Sequence, residues 1–80
     1  MKENKEITLT LSKDEALVLF EFLARFNEKD HKNLFEDQAE QKILWIIEGQ
    51  LEKILVEPFK SDYIEIIKSA RNRLRDQTIG

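Results

Sequence analysis

The stretch from Ala16 to Phe26 constrains this chain more than any other: Leu17, Val18, Leu19, Phe20, Phe22, Leu23 and Ala24 leave one narrow polar strip of Asp14, Glu21, Arg25 and Glu28. Wound as a helix, such a segment is apolar almost all round and has to be covered on more than one side. Little chain is left to do so. With 80 residues, only one core can form, and folding buries only about 60 to 65% of the surface exposed by the unfolded chain.

The start of this helix is written locally. Ser12 followed by Glu15 forms a capping box, in which the hydroxyl takes the amide of residue 15 and the carboxylate reaches back to the amide of residue 12, so the helix begins at Lys13. Before it, Ile7, Thr8, Leu9, Thr10 and Leu11 alternate apolar with β-branched polar residues, which predicts an extended strand with Ile7, Leu9 and Leu11 on one face.

After a polar loop around Asn27 to Leu34, either Asp37 with Glu40 or Asn33 with Glu36 offers the next cap. Ile43, Leu44, Ile47, Leu51, Ile54 and Leu55 then recur in an arc suited to two neighbouring helices, and Pro58 stops the run because its ring cannot continue the ladder. Phe59 is expected to anchor the turn and Ser61 to cap a third helix carrying Tyr63, Ile67, Ala70 and Leu74. The predicted layout is mainly α in a single domain: tail 1–6, strand 7–11, and helices 13–30, 36–57 and 61–77. Leu19, Phe20, Leu23, Ile47, Leu51, Ile54 and Ile67 are the expected core.

Composition narrows the function classes. The chain has no cysteine, which removes disulfides, thiolate metal sites and cysteine nucleophiles together. Its start, MKENKEITLTLSKDE, shows no apolar targeting core, and its apolar runs are too short to span a bilayer, so a cytoplasmic location is the expectation. The formal net charge of −3 offers nucleic acid or an anionic membrane no general attraction.

The strings ITLTLSKDEALVLFEFLARFNE and FEDQAEQKILWIIEGQLEKILVEPF resemble those of a group of small bacterial helical proteins with the same strand, helix, helix layout. The resemblance covers Ile7 to Arg75. It implies a bacterial, cytoplasmic protein and attaches no activity, ligand or functional residue.

Chemistry-bearing residues are few. His31, the single histidine, lies in the polar run Glu28, Lys29, Asp30, His31, Lys32, where a solvated side chain is the simpler expectation than a base or a ligand. Glu36, Asp37 and Glu40 are acids at a helix start, where the macrodipole favours them. The two glycines, Gly49 and Gly80, are too far apart for a phosphate-cradling loop. No catalytic, cofactor or metal site emerges, so the chain reads as a non-enzyme with no small-molecule substrate.

Two surfaces remain. Lys68, Arg71 and Arg75 share one face of the last helix, a weak basic patch that the dipole at a helix C-terminus also explains. Trp45, Gly49 and Val56 form a second apolar seam on the second helix, outside its core arc. Either the N-terminal strand or the loop at Leu34 and Phe35 folds over this seam, or another chain covers it; tryptophan is enriched at such anchors.

The functional expectation is a small non-catalytic protein-interaction module that self-associates, with Ile7, Leu9, Leu11, Trp45, Gly49 and Val56 as its candidate interface. A lone strand needs a partner for its amides and carbonyls, and the same strand of a second copy, running antiparallel across a twofold axis, would supply one. A homodimer is therefore expected, with a further protein partner possible. The alternatives are a nucleic-acid-associated regulatory protein using the C-terminal arginines, and an immunity or antitoxin-like protein, the latter by analogy alone.

Overall fold

A computed structural model describes residues 5–77, in which three helices follow one another: α1 (Lys13–Phe26), α2 (Gln38–Ile54) and α3 (Tyr63–Arg75). One-turn 3₁₀ helices at Lys32–Leu34 and Glu57–Phe59 join them. α1 is the common partner. Both α2 and α3 pack along it, and they have no extensive contact with each other. The near-continuous apolarity of α1 is the cause, since it can face two neighbours at once.

Helix starts follow the local chemistry. The amide of Glu15 donates to Ser12 Oγ (3.0 Å) and the amide of Ser12 donates to Glu15 Oε1 (2.8 Å), completing the capping box. Asp37 caps α2 by accepting from the Ala39 amide at 2.7 Å, and Glu40 Oε1 accepts from the Glu36 amide at 2.9 Å. Ser61 does not cap α3. A turn bond from the Tyr63 amide to the Lys60 carbonyl (3.2 Å) moves the start past it, so Asp62 stands at the N-cap position with no side-chain bond.

All three helices are shorter than the 13–30, 36–57 and 61–77 read from the sequence. α1 ends at Asn27, whose side chain is drawn aside to donate to Glu48 on α2 at 2.7 Å. α2 ends at Ile54, the residue whose carbonyl a continued helix would set against the ring of Pro58, which has no N–H to give it, and the chain is already extended at Leu55.

The core consists of Leu17, Phe20 and Leu23 from α1, Leu51 and Leu55 from the end of α2, and Ile67 and Ala70 from α3. Leu19 and Ile47 are half-buried against it. Ile54 is a correction: it is 73% exposed, while its neighbour Leu55 is 3% exposed. The arc on α2 was read as serving two neighbours, and within the chain it has one.

The predicted strand at Ile7 to Leu11 is also absent; no strand occurs among the described residues. A strand exists through its pairing, and no other segment among the described residues offers it an edge. Nor does the segment lie against the helices, since Ile7 is 90% and Leu9 81% exposed. Phe59 does not anchor its turn and is 76% exposed.

The polar strip on α1 turns out to be a docking seam. Arg73 on α3 donates twice to Asp14, from Nε and Nη2, each at 2.8 Å, and the Tyr63 hydroxyl donates to Glu21 at 2.9 Å. Lys13 Nζ reaches Glu57 in the second 3₁₀ turn at 2.8 Å. Hydrogen bonds from Arg73 and from Lys13 hold the carboxyls of Asp14 and Glu57, respectively, below the usual range.

Candidate functional site

Twelve large apolar side chains among the described residues stand exposed. Three of them, Ile7, Leu9 and Leu11, lie on the N-terminal segment.

Four more, Ile43, Trp45, Ile46 and Ile54, lie on α2. Leu44, Leu51 and Leu55 share its α1-facing side, where the core lies. About a third of the way round the helix, Ala39, Ile43, Ile46 and Gln50 form a second stripe, and all four are exposed. Steps of four, three and four residues separate them, a spacing visible in the sequence but masked there by the arc of six apolar residues that includes Ile43 and Ile54. Ile46 belonged to no predicted surface.

The Trp45 seam is likewise uncovered by its own chain. Trp45 is 51% exposed and Val56 is exposed. Neither segment proposed to fold over it buries it: Ile7 and Leu9 of the N-terminal segment are exposed, and in the loop Leu34 is exposed and Phe35 turns edge-on to Phe26. Gly49 stands mid-helix without a positive φ, and a Cβ built there meets nothing within 4 Å. Nothing inside the chain accounts for a glycine at this position.

His31 is not the solvated side chain expected. Its ring stacks on Phe26 with centroids 3.9 Å apart and planes 11° from parallel, and Phe26 also stacks on Phe22. The loop folds back over the end of α1 because these rings need cover, leaving Nε2 buried without a hydrogen-bond partner. An imidazole so placed has no substrate-facing nitrogen on that side. Asp37 and Glu40 are engaged at the start of α2, and among the described residues no group of three or more His, Asp or Glu is placed to hold a metal ion.

On α3, Lys68, Arg71 and Arg75 are exposed on one face with Ile64, whereas Arg73 points to α1 and is paired with Asp14. Arg71 borders a dent of about 100 Å³ lined also by Glu21, Tyr63, Ile64 and Ile67, well below the volume of a drug-sized ligand site. Among the described residues, no helix is long and apolar enough to cross a membrane.

No protein family, curated protein or solved structure matches this chain. The resemblance of its two apolar strings to a bacterial group thus brings no residue or activity with it.

Proposed function

We propose that the chain is a small non-catalytic protein-interaction module that self-associates. The observation carrying this is the N-terminal segment: three alternating apolar side chains, two of them more than four-fifths exposed, with no strand edge among the described residues to receive them. Apolar side chains and unpaired backbone groups are satisfied together when the same segment of a second copy runs antiparallel to it. Trp45 and Val56 supply further apolar surface for that copy or another protein. A bacterial cytoplasmic setting belongs to the same reading and rests on the resemblance.

Sedimentation equilibrium at micromolar concentration tests it. The parent chain should show a dimer mass, and Leu9→Lys should shift the population toward monomer. A monomer mass for the parent, unchanged by Leu9→Lys, would sink the reading.

One observation favours a second reading. Lys68 and Arg71 are exposed on one face and have no ion pair among the described residues, as a phosphate-contacting face requires. A gel-shift at low salt with mixed nucleic acid decides it: a shifted band that disappears with added salt supports the contact, and an unshifted band removes it.

A further inference from the structure

We propose that the outer face of α2 pairs with the same face of a second copy, the two helices running parallel and in register. This rests on the self-association reading but assigns it a surface separate from the N-terminal segment.

Ala39, Ile43, Ile46 and Gln50 recur at the alternating four and three residue steps by which one helix presents a seam to another. The seam is free, since α1 occupies a different side of α2 and α3 has no extensive contact with it. A second copy is the occupant because the patch is self-complementary, apolar against apolar, as a twofold interface demands. The apolar side chains it would cover are open: Ile43 is 48%, Ile46 44% and Ile54 73% exposed.

Gln50 selects the orientation. In a parallel pair each seam residue meets its own counterpart, so the two Gln50 amides face each other, and each can donate and accept. An antiparallel pair centred on the stripe sets Gln50 against Ala39 and Ile46 against Ile43, so the amide faces a methyl group in place of a second amide and loses that hydrogen bond. A single polar residue in such a seam fixes register.

Gly49 and Ile54 follow from the same geometry. Parallel pairing places the residue flanking the seam on one side beside the next flanking residue of the other helix, which sets Ile54 of one copy over Gly49 of the other. Ile54 is 73% exposed and Gly49 has open space where a Cβ would stand. The glycine that the chain itself does not explain becomes the socket for an isoleucine that the chain does not bury.

The absence of cysteine makes disulfide mapping direct. Single-cysteine chains Ala39→Cys, Ile46→Cys and Leu9→Cys are mildly oxidised and compared with the parent's mass by sedimentation, and circular dichroism confirms that each remains helical. Links through both 39 and 46 support the parallel seam. Links through 46 without 39 overturn the parallel orientation, because an antiparallel pair holds the two copies of residue 39 far apart.

Links through 9 alone, with a dimer mass for the parent, overturn this inference and leave self-association standing. A monomeric parent overturns both. Ile46→Lys should raise the dimer dissociation constant at least about tenfold by burying a charge. Gly49→Ala should raise the melting temperature of the dilute chain while weakening the dimer. A dimer tightened by Gly49→Ala would rule out the socket.

Discussion

α2 and α3 flank the same helix and end differently. α3 meets α1 through two buried residues, Ile67 and Ala70, and closes the seam with polar ties at Asp14–Arg73 and Glu21–Tyr63. Its outward face keeps Lys68, Arg71 and Arg75 in water. α2 spends Leu51 and Leu44 on the core side and still exposes Ile43, Ile46 and Ile54. α3 leaves one large apolar side chain, Ile64, exposed, and α2 leaves four. A charged strip on an apolar helix can thus be a docking seam, and an apolar arc need not be buried by its own chain.

The largest effect belongs to the shared core, which both helices need. Phe20 sits on α1 at 8% exposure, and Phe20→Ala should cost about 3 to 5 kcal/mol, much of the stability of so small a domain. Urea unfolding of a dilute sample measures it; a loss below about 1 kcal/mol would mean that α1 does not join the two flanks. α2 supplies the next contrast. Leu55→Ala should cost about 2 to 5 kcal/mol, whereas Ile54→Ala, one residue away but exposed, should change monomer stability by less than about 0.5 kcal/mol. Equal losses at the two positions would erase the distinction between the inner and outer faces of α2.

What the sequence made legible was local. Ser12 with Glu15, Asp37 and the helix-stopping Pro58 act through neighbours a few residues away, so their structural effect can be read from spacing. Phe20, Leu23, Leu51 and Ile67 lie at the centres of apolar arcs and are buried whichever way neighbouring helices lean. Ile54 and Leu55 both belonged to the same arc, and only the number of neighbours decides between them, which is a tertiary fact. The docking of α3 on the polar strip of α1 was hidden for the same reason: Asp14 and Arg73 are 59 residues apart, and a charged strip ordinarily reads as solvated. The segment at Ile7 to Leu11 shows the limit of alternation, which marks the side chains that want cover without naming the edge that gives it.

A smaller effect tests the polar half of the α3 seam. Burial first, and the Glu21 carboxylate second, push the Tyr63 phenol far above the usual tyrosine range. A group whose folded value is raised contributes stability that is fully present below its unfolded value, near pH 10, and lost as pH rises beyond it. Tyr63→Phe should cost about 1 kcal/mol at neutral pH through the lost bond to Glu21. It should also remove this alkaline decline. Because Tyr63 is the single tyrosine, ultraviolet titration reads its ionisation without interference; an ordinary tyrosine titration in the folded chain would show that the seam is open.

The smallest expected effect lies at the acid end and concerns Asp14. Two hydrogen bonds from Arg73 lower its pKa below the ordinary 3.8, outweighing the opposing effect of burial. The sign follows from which state holds the proton more tightly. As pH falls toward 4, the unfolded chain protonates Asp14 first, so the stability contributed by the pair is full above that range and disappears as pH drops through the lower folded value. Asp14→Asn removes this contribution. Its melting temperature should lie slightly below the parent's at pH 7, and the two curves should converge toward pH 2. Added salt should narrow the neutral-pH gap, because the guanidinium is largely exposed and its attraction is screened. Glu57→Gln provides the comparison: its pair with Lys13 ties α1 to the second 3₁₀ turn instead of to α3, so it should flatten the same acid limb while leaving the Tyr63 titration unmoved. Parallel parent and Asp14→Asn curves down to pH 2 would show that Arg73 and Asp14 are not paired in solution, and α3 would then be held to α1 by Ile67, Ala70 and Tyr63 alone.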